Sequence, residues 1–96
     1  MEEKSYKNYM WRVYPRLKYY RFQTKDPMVA RKLSQRKHSQ LVIDGFNTYI
    51  KVYELRFSSP KSALNCFKRM MNQKLIDSGE TGLFYANTGV NKSIGV

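Results

Sequence analysis

The residues of this sequence best suited to act on a partner are its tyrosines, arginines and lysines. Between Met10 and Gln23 they alternate: Arg12, Tyr14, Arg16, Lys18 and Tyr20 fall at every second position, and Arg21 follows. In an extended strand every second side chain lies on the same face, so these five share one. Tyr49, Lys51 and Tyr53 repeat the spacing further along. Rings stack on unpaired bases and cations pair with phosphates, the combination that holds a single nucleic-acid strand. The same residues would also serve as ordinary cross-strand pairs on a solvated face. The chemistry therefore depends on which face the fold leaves open.

A second group is the run Arg31, Lys32, Arg36, Lys37 and His38. On a helix these cations could lie along a phosphate backbone. A third group, Lys61, Lys68, Arg69 and Lys74, is spaced as the solvated face of another helix.

Other chemistries lack their parts. One histidine and one cysteine do not make a metal site or a nucleophile–base pair. There is no glycine-rich phosphate loop and no zinc-type cysteine pair. Tyrosine serves as a nucleophile in DNA-nicking enzymes, which need a metal-binding cluster or a set of cations around the phosphate. His38 alone cannot supply the first, and although the cations for the second are present in number, the chain is short for such an enzyme. The expectation is a protein that is not an enzyme and uses no cofactor or metal. Cys66 cannot form an internal disulfide, in keeping with a reducing compartment. No apolar segment follows Met1–Lys4, and no stretch approaches the ~18–20 apolar residues of a membrane span. A cytoplasmic location with no membrane partner is expected.

Charge is the strongest compositional signal. Lys and Arg number 18 against 7 Asp and Glu, a formal net charge of +11. Lys4, Lys7, Arg12, Arg16, Lys18, Arg21 and Lys25 form a run with no acid among them, and the next acid-free run spans Pro27 to Ile43. Self-repulsion of this size is relieved by a polyanionic partner.

The elements that must position these groups can be read from pattern and punctuation. Met10–Gln23 reads as one strand, with Trp11, Val13, Leu17 and Tyr19 toward the core and Pro15 at an edge or bend. Phe22 breaks that alternation. Asp26–Pro27 starts a helix running to about Lys37, with Val29, Ala30 and Leu33 as its apolar stripe. Leu41–Ile43 is a strand, Asp44–Gly45 a turn, and Phe46–Phe57 a longer strand. Thr48, Ile50 and Val52 share one face of that strand, and Leu55 and Phe57 fall on the other. Ser59–Pro60 starts a second helix whose stripe is Ala63, Leu64, Phe67, Met71 and Leu75, with Gly79 as a stop. Leu83–Ala86 forms a short last strand.

The result is an α+β fold: a two-layer β-α-β-β-α(-β) domain, a mainly antiparallel sheet with two helices on one face. Residues 1–8 are expected to be a flexible N-terminus, 9–86 a single basic domain and 87–96 a flexible tail. The order resembles RNA-recognition-motif and double-stranded-RNA-binding domains. The aromatic-glycine motif of the former is absent and the helix order of the latter does not match, so no family's residues are carried over. The expected function is non-enzymatic binding of DNA or RNA, driven by phosphates. The candidate residues are Arg12, Tyr14, Arg16, Lys18, Tyr20, Arg21, Arg31, Lys32, Arg36, Lys37, Tyr49, Lys51 and Tyr53. The alternative is a protein–protein module. It would be a homo-oligomer, or a small phage or mobile-element accessory or inhibitor protein docking an acidic or nucleoprotein partner.

Overall fold

Two short polar-proline pairs start the helices. In the computed structural model, which describes residues 5–13, 18–45, 48–73, 75–80 and 82–89, Asp26 caps α1 (Pro27–Ser34) by accepting from the Met28 N–H at 2.9 Å. Ser59 caps α2 (Pro60–Met71) by accepting from the Ser62 N–H at 3.2 Å. Proline follows each cap, where its missing N–H leaves no bond unmade. Asn72 ends α2 with left-handed φ of 54°, returning its N–H to the Lys68 carbonyl.

The strands are β1 (Ser5–Arg12), β2 (Tyr19–Thr24), β3 (Gln40–Gly45), β4 (Ile50–Arg56), β5 (Ile76–Asp77) and β6 (Leu83–Gly89). They form one antiparallel sheet in the order β3-β4-β2-β1-β6-β5. The pairs β1–β2, β3–β4 and β5–β6 are neighbours both in the chain and in space, so the sheet is three hairpins side by side, joined by two helices. The α+β class expected from the sequence is the fold observed.

Several boundaries differ from the sequence expectation. Met10–Gln23 is two strands rather than one. β1 ends at Arg12 and β2 begins at Tyr19, and the Val13 N–H donates to the Tyr19 carbonyl at 2.9 Å; Pro15, expected at an edge or bend, lies outside the described residues. Residues 5–8, expected to belong to a flexible terminus, are the first half of β1, and 87–89 extend β6. β5 had no sequence signal, and it is only two residues long. α1 stops at Ser34, so Arg36 and Lys37 lie in the connection after it. Asn72, not Gly79, terminates α2; Gly79 has a φ of 93° in the β5–β6 hairpin. The turn before β4 extends beyond Asp44–Gly45, with the Thr48 and Tyr49 N–H groups both donating to the Gly45 carbonyl.

Both helices cover the same face. Val29 and Leu33 of α1 and Ala63, Cys66, Phe67, Met70 and Met71 of α2 share one core with Met10, Tyr20, Phe22, Tyr53, Leu55 and Ala86. Phe22 and Phe67 meet edge to face at 5.3 Å between centroids, within the favourable range for aromatic pairs. The register carries Phe84, Met10, Phe22, Tyr53 and Leu41 across five strands on this face.

At one end of the core lies a buried polar network. The Asn8 amide donates to the Ala86 carbonyl at 3.0 Å and to Thr88 Oγ1 at 2.9 Å, while its oxygen accepts from the Thr24 hydroxyl. Thr88 donates to Asp26 Oδ2 at 2.6 Å, and the Asp26 N–H donates to Thr24 Oγ1 at 2.9 Å. Asn8 is fully buried, so deleting its amide strands several groups away from water, at roughly 1–3 kcal/mol for each left unsatisfied. Asn8→Ala is expected to lower stability by at least about 2 kcal/mol by that reckoning. A denaturation midpoint equal to that of the parent protein would show that the network does not hold the sheet.

Candidate nucleic-acid interface

Side chains opposite one another in an antiparallel sheet share a face, so the register assigns the uncovered face directly. One row reads Leu83, Trp11, Arg21, Glu54 and Gln40, and the next reads Ile76, Tyr85, Tyr9, Gln23, Val52 and Ile43. Lys7 pairs with Asn87 at one end of β1, and Tyr19 with Arg56 at the β2–β4 end. The core cluster shared with the helices takes its strand residues from the other face. Tyr9, Trp11, Tyr19 and Tyr85 are all half-buried here. The Tyr9 and Tyr85 rings lie 6.2 Å apart and tilted by 49°, and Lys7 Nζ sits 4.5 Å from the Tyr85 centroid, within cation–π range.

This inverts the expected assignment of faces. Tyr20 and Tyr53, expected as stacking groups, are core residues at 3% and 7% exposure. Arg12 is on the helix-covered side, its guanidinium 5.7 Å from the Tyr20 ring. Lys51 lies at the end of the same face and binds Asp44 at 2.9 Å; that hydrogen bond is the main cause of its raised pKa. Tyr49 is 79% exposed and sits in the β3–β4 turn with a φ of 61°. Tyr14 and Arg16 lie outside the described residues. The spacing itself holds: Trp11 keeps company with Tyr19, and Arg12 with Tyr20. What changes is which set meets the helices. Phe22 and Leu55, the two residues that broke the expected pattern, mark the true core face.

One set of basic residues gathers at one end of the sheet. A groove of about 530 Å³ is lined by Lys18 and Tyr19 at the start of β2, Arg36, Lys37 and His38 after α1, and Arg56 at the end of β4. A second, shallower depression is lined by Arg36 and Lys37 again, with Lys32 and Cys66, and Arg69 of α2. Because Arg36 and Lys37 border both, the two form one continuous basic band. Lys32 also supports the fold, its ammonium donating to the Met70 carbonyl at 3.1 Å, where the negative end of α2 favours a cation. Arg31 is exposed on α1. The band draws on four separate segments, so neither Arg56 nor Arg69 could be assigned to it from the sequence.

The acids do little to neutralise this end. Glu54 borders the groove, but its carboxylate accepts from Arg21 Nε at 3.0 Å on the open face. Asp26 is committed to the α1 cap, Asp44 to Lys51, and Asp77 to the Gly79 N–H in the β5–β6 hairpin. Among the described residues, no group of three or more His, Cys, Asp or Glu side chains is placed to hold a metal ion. No helix among them is long and apolar enough to cross a membrane. No family model, curated protein or solved structure matches this chain.

Cys66 sits beneath the band. Burial raises its thiol pKa, while the Arg36 and Arg69 charges pull it down. The net shift is upward, so the folded protein favours the neutral thiol. Stability from this group is present below the unfolded thiol's pKa and declines as pH rises toward the folded value. Cys66 is expected to react with an aromatic disulfide at pH 8 much more slowly in the native protein than in denaturant. Equal rates in the two states would show that the thiol is open to solvent.

Proposed function

We propose that this chain is a non-enzymatic nucleic-acid-binding protein whose basic band grips the phosphate backbone. The observation that carries the reading is the assembly of Lys18, Arg36, Lys37, Arg56 and Arg69 along one continuous surface. The chain brings these cations together from β2, the connection after α1, β4 and α2. Among the described residues, the only acid lining either depression is Glu54, which is bound to Arg21. Cations held side by side at an energetic cost in self-repulsion are what a polyanion relieves. Arg and Lys contacts to phosphates fix position without reading sequence. The band therefore supports binding to many sequences rather than one.

A second reading rests on β3. This edge strand exposes Leu41, Val42 and Ile43 together, because a bulge between Leu41 and Ile43 interrupts the alternation. An exposed apolar edge with free backbone groups is a template for pairing with another chain. The partner could be a second copy or a separate protein. A dimer that persists in high salt, in a preparation free of nucleic acid, would favour this reading over the first.

The phosphate reading is tested by salt. If six to ten phosphates are engaged, affinity for nucleic acid is expected to fall by roughly 10³–10⁵ between 50 and 200 mM salt. Arg36 and Lys37 are exposed, so replacing both with alanine leaves the core intact. The double variant is expected to reduce the slope of log affinity against log salt by about two. Binding insensitive to salt, or a double variant with an unchanged slope, would overturn the assignment.

A further inference from the structure

We infer that the nucleic acid bound is a single strand and that its bases lie on Tyr9, Trp11, Tyr19 and Tyr85. This rests on the nucleic-acid reading above and adds the class of substrate and a second contact surface.

The four rings follow a path. Tyr85 and Tyr9 are cross-strand partners on β6 and β1. Trp11 is two residues further along β1, on the same face. Tyr19 lies beyond it, opposite Val13, whose N–H donates to its carbonyl. At about 3.4 Å per residue, Tyr9 to Val13 spans roughly 14 Å, the length of a few nucleotides. The path has cations at both ends. Lys7 stands over Tyr85, and Tyr19 itself lines the groove that holds Lys18 and Arg56. A strand leaving the basic band therefore meets aromatic rings next.

The rings suit unpaired bases for three reasons. They are half-buried, so part of each surface remains accessible. Tyr9 and Tyr85 are tilted by 49° rather than stacked, so neither ring is covered by a parallel partner in this pair. Aromatic platforms flanked by cations hold single strands with little regard to sequence, because every base has a π-face. A duplex buries its base faces in its own stack and shows phosphates outward. It would use the cations and gain nothing from four rings in the middle of a six-stranded sheet. DNA and RNA share the unpaired base, and the test below separates them.

Trp11 is the sole tryptophan, so its emission reports directly on this face. The full chain is titrated with a single-stranded DNA 12-mer, the same sequence as RNA, and the blunt DNA duplex, at low salt. Single strands are expected to quench Trp11 and to bind at least tenfold more tightly than the duplex. Tyr9→Leu and Tyr85→Leu keep apolar bulk but remove the ring. Each is expected to weaken single-strand binding by roughly five- to hundredfold, with duplex binding changed less than twofold. Asn65→Ala, exposed on α2 away from both surfaces, is expected to bind as the parent does. Thermal melts of each variant confirm that it is folded. Equal affinity for duplex, unchanged Trp11 emission, or full single-strand affinity in folded leucine variants would overturn the inference. In that event Arg36→Ala still weakening both forms would leave the phosphate reading standing. No binding of any form would remove both.

Discussion

The arrangement of this sheet depends on keeping three buried polar side chains and one half-buried one satisfied. Asn8, Thr24, Asp26 and Thr88 come from β1, β2, the start of α1 and β6, and each completes another's hydrogen bonds. In a low-dielectric interior an unmet amide or carboxylate is costly, so such a set is formed nearly completely or avoided. One consequence is topological. The third hairpin can add to the free edge of β1 only where Ala86 and Thr88 meet Asn8. Another is local: the carboxylate that caps α1 through Met28 is the same one that receives the Thr88 hydroxyl. The register that this network holds also sets Tyr85 beside Tyr9 on the opposite face. A polar cluster on the core side thus decides which rings are neighbours on the open side.

The sequence was legible where structure is local. Asp26–Pro27 and Ser59–Pro60 mark both helix starts, because an N-cap acts within three residues of itself. The α+β class and the Val29–Leu33 and Ala63–Phe67 stripes follow from period. The face assignment was not legible from β1 and β2 alone. Tyrosine and tryptophan have an apolar body and a polar tip, so alternation of Tyr and Trp with Arg and Lys does not say which set faces inward. Met10, Phe22 and Leu55 decide it, being wholly apolar and in phase with Tyr20 and Tyr53. Val52 shows the limit of even that rule. It is buried on the other face, between Gln23 and Ile43 of the neighbouring strands.

The candidate site was legible only in part. Lys18, Arg36 and Lys37 could be picked out because they lie in acid-free stretches. Arg56 and Arg69 could not, since each sits in an ordinary local setting and joins the band only through the fold. The buried network escaped notice for the same reason, because its partners are up to eighty residues apart. β5 was missed because two residues in a ladder leave no periodicity to detect. The break between β1 and β2 leaves no mark in the sequence, because the basic–aromatic alternation runs straight through it.

Both helices cover the same face of the six-stranded sheet, and the charge around the other face bears on what it admits. Half-exposed aromatic side chains and an apolar β3 edge favour self-association. A formal charge of +11 opposes it, since two copies meeting through these surfaces would bring their cations together. The bulge beside Val42 and the Asp44–Lys51 pair further break the regularity of the β3 edge. On the proposed function, a polyanion reverses the balance. Its phosphates cancel the repulsion, and unpaired bases can take up the apolar ring surface that charge withholds from another copy. On the proposed function the positive field acts selectively: it repels the chain's own kind from the aromatic face and draws toward it a partner of opposite charge.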